Sequence, residues 1–378
     1  MKTNRRRVLA YVVALVGLAG AALVGPRTLA AGDSLPKRLN DRAFWQLIVD
    51  SSEAGGTFRS DNFISNESTF QEVIPRLRQL TSPSVYLGVG PDQNFTYITA
   101  LRPKMAFIVD IRRQNMLQQL MYKAIIEASE DRADFLSRLF SRPRPAGLDR
   151  KSTPEAIFEA FAGVPADQGL FDKNLQEIDT RLVKRHGFGL TPEDLKGIEY
   201  VYRAFFDSGP ELRYSFPRVL PGRFFPTYAE LMMQKDLTGR NHGYLATEEH
   251  YRTLREFQRN NLLVPIVGDF AGDKALRAVG RYVREHDATV TFFYTSNVEQ
   301  YLFMGDQYLS FFSNVATLPI GPESTFIRSF FDRGFLYPPG IVTPDLHSVQ
   351  LLQPIADALG AVRAGAIRNY QDIVERSK

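Results

Sequence analysis

The chain has no cysteine among its 378 residues, which excludes disulfides, thiolate metal ligands and cysteine nucleophiles. Histidine is scarce too. His186, His242, His250, His286 and His347 show no H-x-x-x-H or H-E-x-x-H spacing, so no metal-ligating set is written in the sequence, and Glu249-His250 reads as a solvated helix face. A G-x-S-x-G elbow and a Walker phosphate loop are both missing, which removes the anchors of a hydrolase triad and of a nucleotide triphosphatase. An excess of one charge is lacking once the first segment is set aside. Five of the 46 basic residues (Lys2, Arg5, Arg6, Arg7 and Arg27) and none of the 42 acidic ones precede Ala31, so the remainder carries 41 basic against 42 acidic side chains. That balance excludes an electrostatic case for nucleic-acid binding.

One long apolar run is present. Arg5-Arg6-Arg7 precede Val8 to Gly25, which holds no charge, and Pro26-Arg27-Thr28-Leu29-Ala30-Ala31 follow. Residues 1–31 therefore read as an export signal or membrane anchor, and Arg5-Arg6-x-Val8-Leu9 resembles a twin-arginine signal. Small residues before Ala31 permit cleavage after Ala30. The expected location is outside the cytoplasm, periplasmic or membrane-anchored, with membrane contact only through this segment if it stays uncleaved. With 44% hydrophobic and 23% charged residues, the rest is long enough for one large core or two modest ones.

Periodicity then divides the chain. A short helix is expected from Asp41 to Ser51, and another over Phe70 to Leu80, where Phe70, Val73, Ile74, Leu77 and Leu80 recur at helical spacing. Strands are expected at Val85-Tyr86-Leu87-Gly88 and Met105 to Val109, with a helix from Arg112 to Ser129 striped by Met116, Leu120, Ala124 and Ile125. The segment 129–261 holds no convincing strand and reads as a mainly helical insertion between 32–128 and 262–378. Strand character resumes at Leu262 to Phe270, followed by a helix from Asp273 to His286 and a strand from Ala288 to Tyr294, the crossover unit of a parallel sheet. Pro265 cannot donate to a ladder, which argues for the first residues of a strand or for an edge strand. A last strand is expected at Thr325 to Phe330, and one or two helices within Leu346 to Arg376.

Three strand ends carry glycine or acid: Gly88 to Asp92, Asp110 and Gly268-Asp269. A fourth leads into Thr295 to Tyr301, with Asn297 and Glu299 as a candidate rim. In an open parallel sheet such ends face one crevice, where ligands bind. Glycines allow close backbone approach, and a carboxylate on the neighbouring strand can accept from both ribose hydroxyls. The dinucleotide fingerprint wants a third glycine where Gln93 stands. The same residues also suit a plain tight turn with Asp110 capping the next helix, and spacing leaves both readings open.

These runs resemble the S-adenosylmethionine-dependent methyltransferase fold, over roughly 60–128 and 262–335. The resemblance implies an α/β fold with an open, mainly parallel sheet and a large helical insertion. It implies that Gly88 and Gly90 face the methionine part of S-adenosylmethionine, Asp110 the ribose and Asp269 the adenine. Asp61 to Glu67, Val264 to Gly272 and Ser296 to Leu302 look more closely like an uncharacterised bacterial family predicted to share this fold. Two positions depart from the methyltransferase pattern. Tyr86 replaces the acid before the first glycine, and Asp92 replaces the last glycine, which brings a carboxylate near the methionine end, where it would bind the amino group and repel the carboxylate. No Asn/Asp-Pro-Pro-Tyr motif follows the fourth strand. Export also separates the domain from the cytoplasmic supply of that cofactor. The expectation is an exported, noncatalytic protein whose crevice binds a small molecule or partner. The alternatives are a methyltransferase with a nonstandard cofactor turn, and a structural envelope protein with no ligand.

Overall fold

Five runs rich in β-branched and aromatic residues, each buried along nearly its whole length, pair side by side as parallel strands, because a strand covered on both faces needs no polar alternation. They are β1 (Val85–Gly88), β2 (Met105–Asp110), β3 (Leu263–Val267), β4 (Val290–Ser296) and β5 (Thr325–Phe331). A sixth, β6 (Ser348–Pro354), runs antiparallel to β5, and the order across the sheet is β3-β2-β1-β4-β5-β6. The computed structural model describes residues 33–80, 83–214, 225–331 and 348–378. Leu35–Lys378 forms one compact unit. The leader reading of residues 1–31 lies outside the described residues. Among those described, no helix is long and apolar enough to cross a membrane.

Pro265 sits opposite Ile108 on β3, which pairs with β2 alone, so its missing N–H faces away from the ladder. Beyond it, the Val267 carbonyl accepts from the Glu53 N–H at 2.8 Å and the Val267 N–H donates to the Ser52 hydroxyl at 3.1 Å. On the opposite edge, Leu352 of β6 exchanges two backbone hydrogen bonds of 2.8 Å with Lys378.

The expected helix over Phe70 to Leu80 is mostly turn. Thr69 adopts a left-handed φ of 71° and Pro75 stands in the first turn, so the helix is confined to Ile74–Leu77. Within Leu346 to Arg376 one or two helices and no strand were expected. Instead, β6 precedes the helices Ile355–Arg363 and Tyr370–Arg376, and Gln350 and Gln353 are buried with Val349 and Leu351, which erases the alternation that would have marked a strand.

The helix after β2, Arg113–Ala128, is buried continuously from Asn115 to Glu127, a wider burial than its apolar stripe suggested. It packs on β2 and β3, while helices Pro192–Ser208 and Glu248–Arg259 pack against it. Its polar side chains are matched inside: Gln118 donates to the Phe63 carbonyl, Gln119 to the Gly90 carbonyl at 3.0 Å, and Lys123 pairs with Glu127 at 2.7 Å. Between this helix and β3 the described residues form helices Arg132–Phe140, Pro154–Ala162, Gln168–Asp179, Pro192–Ser208, Tyr228–Met233 and Glu248–Arg259, with only an isolated bridge of Arg213 to Thr227. Thr191 with Asp194 and Thr227 with Glu230 make capping boxes that start two of these helices.

Candidate functional site

The carboxyl ends of β1 to β4 open into a cavity of about 520 Å³. Its floor begins at the turn after β1. Asn94 donates to the carbonyls of Val89 (2.9 Å) and Pro91 (2.7 Å) and accepts from the Tyr86 hydroxyl at 2.8 Å, bracing the turn from beneath. A Cβ on Gly88 would lie 1.9 Å from Asn94 Oδ1, so this glycine makes room for the brace and does not line the cavity. Tyr86, which stands where an acid was expected, has the same task. Gly90 has φ +81°, is free of close contacts and presents its backbone to the cavity.

Asp110 also lines the cavity, but its carboxylate is already engaged. Oδ1 accepts from the Arg112 backbone N–H (2.9 Å) and Nε (3.0 Å), and Oδ2 accepts from Nη2 (2.8 Å). Three of about four lone-pair sites are thus occupied, leaving room for one ribose hydroxyl rather than two. Arg112 holds the N-cap position of the next helix and its own side chain makes no capping bond there, so the contact of Asp110 with the start of that helix is the one bond from the Arg112 backbone N–H. Arg112 Nη1 also donates to the Asp61 carbonyl, which fastens the polar loop around residues 60–67 to the end of β2.

Asp269 is half-buried on the cavity wall. Its Oδ1 accepts from the Ala271 N–H at 2.9 Å. Gly268 beside it lets the helix Ala275–Glu285 approach, since a Cβ there would stand 2.1 Å from that of Ala275. Asn297 lines the rim.

Asp92 and Glu299 lie elsewhere. Asp92 has αR dihedrals just before the helix Gln93–Leu101 and turns into the helical layer, where the Tyr244 hydroxyl donates to Oδ2 at 2.8 Å and itself meets the Tyr228 hydroxyl at 2.6 Å. Complete burial outweighs that bond and pushes its carboxyl up to about 7. Glu299 is 1% exposed and forms an ion pair with Arg328, whose Nη2 stands 3.1 Å from Oε1, while Thr295 donates to Oε2 at 3.1 Å. The cavity therefore gathers Gly90, Asp110, Asp269 and Asn297, and excludes Gly88, Asp92 and Glu299.

Sequence reasoning missed Glu67 and Arg112. Glu67 lines the cavity at 1% exposure and accepts four hydrogen bonds: from Tyr294 (2.7 Å) and Ser296 on Oε1, and from Gln93 (2.6 Å) and Gln350 (3.2 Å) on Oε2. The Gln93 and Gln350 amides are oriented by their own partners, since their oxygens accept from Ser65 and Ser329. Burial, together with the Glu67 charge, holds the Tyr294, Tyr86 and Tyr97 phenols well above their usual range, so they stay neutral donors. The only foretaste of this network was the density of short polar side chains between Ser60 and Ser68. Phe58, Tyr214, Phe270, Tyr294 and Tyr301 supply aromatic walls, Phe58 meeting Tyr301 edge to face at 5.2 Å. No group of three or more metal-ligating side chains occurs among the described residues.

A family model described as a domain of unknown function (DUF7790) matches residues 62–369, and the chain belongs to that family. The matched span includes the β1 turn, Glu67, Asp110, Asp269 and Asn297. It brings a family and no chemistry, and carries no sign of a methyltransferase. No curated protein matches the chain.

Proposed function

We propose that this member of the DUF7790 family binds a small molecule in the strand-end cavity, outside the cytoplasm and without transforming it. The cavity carries the proposal: a space of about 520 Å³ at the carboxyl ends of four parallel strands is the position where open α/β sheets take ligands, and its size is within the range for a metabolite. Of its three carboxylates, Glu67 accepts four internal hydrogen bonds and Asp110 three, an arrangement suited to fixed recognition more than to proton transfer.

A second reading is an adenosyl cofactor on a methyltransferase-like sheet. It is favoured by the order β3-β2-β1-β4-β5 with an antiparallel strand beyond, and by the exposed Gly90 backbone beside Asp110. Titration calorimetry of the purified chain with S-adenosylmethionine and S-adenosylhomocysteine, alongside native mass spectrometry for a co-purifying compound, separates the readings. A retained or titratable small molecule that is recovered unchanged supports the first. Methyl transfer to any acceptor in a cell extract supports the second, and an empty cavity under every condition overturns both in favour of a structural role. The location is tested by reporters active on one side of the membrane. Replacing Arg5 and Arg6 by Lys should abolish export if the paired guanidinium groups are read, because the charge is kept.

A further inference from the structure

We propose that the cavity recognises an onium centre, a trimethylammonium or sulfonium group that carries positive charge without N–H donors, seated against Glu67. The inference rests on the small-molecule reading above and names its ligand class. Glu67 is buried and lines the cavity, and all four partners of its carboxylate are neutral: two hydroxyls and two amides. Four donors suit the ionised, acceptor-only form. No lysine, arginine or histidine among the described residues pairs with it. The other charges on the wall do not compensate it. Arg112 is committed to Asp110, Arg59 is exposed, and Asp269 adds a second negative charge.

What the site lacks is therefore positive charge, while its hydrogen bonds are complete. A primary ammonium would bring three N–H groups to a carboxylate whose lone pairs are taken. An onium centre brings charge alone, and its polarised methyl or methylene groups suit aromatic walls such as Phe270, Tyr294 and Tyr301. Desolvation inside the cavity strengthens the attraction to Glu67 relative to water.

The test compares charged probes with their uncharged isosteres on the full chain by titration calorimetry and ligand-observed NMR. One pair is choline and the alcohol in which tert-butyl replaces trimethylammonium. The other is S-adenosylmethionine, a sulfonium, and S-adenosylhomocysteine, its thioether. In at least one pair the charged member should bind about tenfold tighter or more, and the pair that shows it identifies the source of the charge. In E67Q the preference should fall at least severalfold, to what Asp269 and the aromatic walls supply, while the uncharged member binds as before. Equal binding within both pairs, tighter binding of ethanolamine than choline, or a preference undiminished in folded E67Q overturns the onium inference and leaves small-molecule binding standing. Absence of binding by every probe also overturns the onium inference, and the small-molecule reading is then decided by the search for a co-purifying compound. Should E67Q not fold, the wild-type ratios decide alone.

Discussion

Glu67 and Glu299 are equally buried, at 1% exposure, and are held from the same strand, yet they are satisfied in opposite ways. Tyr294 and Ser296 of β4 donate to Glu67, whereas Thr295 between them donates to Glu299, because successive side chains of a strand point to opposite faces. On one face Arg328 neutralises its carboxylate. On the other, four neutral donors satisfy the lone pairs and leave the charge in place. A closed ion pair has no electrostatic demand left over, while a solvated-in-protein carboxylate beside a cavity still attracts a cation. Local polarity is thus a poor guide to function, and charge balance a better one.

The largest effect should come from breaking the closed side. Glu299→Ala strands Arg328 in the core and should cost about 3–5 kcal/mol in urea unfolding, with ligand affinity unchanged in whatever protein remains folded. Asp92 sharpens the comparison from a third direction, since a single phenol is its side-chain donor among the described residues. Its folded-state carboxyl, raised to about 7, holds a proton more tightly than in the unfolded chain. The stability it contributes is therefore complete below about pH 4 and is lost as pH rises towards 7, at up to about 1.4 kcal/mol per unit. Asp92→Asn should flatten that slope, as urea midpoints at about pH 5 and about pH 8 would show; an unchanged slope would place the proton elsewhere.

Glu67→Gln comes next. It keeps the shape but opposes an amide N–H₂ to existing donors, and should cost about 1–3 kcal/mol together with the charge preference. A loss as large as that of Glu299→Ala would mean that Glu67 is chiefly structural. The smallest effect is expected at Asp269→Asn, which retains the Oδ1 bond to Ala271: thermal stability should move by less than about 0.5 kcal/mol, with cation affinity reduced severalfold.

Strands β1 to β5 were legible because burial on both faces writes them as apolar runs, closed by Gly88, Asp110, Gly268 or Ser296. β6 was not, because its glutamines point into polar networks that depend on Ser329, Glu67 and Arg328 far away in sequence. Strand-end geometry likewise brought Gly90, Asp110 and Asp269 to one cavity, but motif counting misassigned Gly88 and Asp92. The reason for Gly88 is Asn94, six residues on, and the helical dihedrals at Asp92 turn its carboxylate to Tyr244. Glu67 was invisible for a simpler cause: its donors are residues 93, 294, 296 and 350, and no local pattern joins them.

The edges of the sheet have a consequence for life at high concentration. An unpaired strand normally offers a template on which a neighbouring molecule can add its own strand, the first step towards fibrils and amorphous precipitates. Pro265 removes one donor from β3, and Ser52 and Glu53 occupy both backbone groups of Val267. At the far side Lys378 occupies Leu352 in the same manner. Among the described residues both margins are thus covered by other segments of the same chain, Ser52 and Glu53 on one side and Lys378 on the other, so crowded molecules find fewer free ladder groups along which to polymerise.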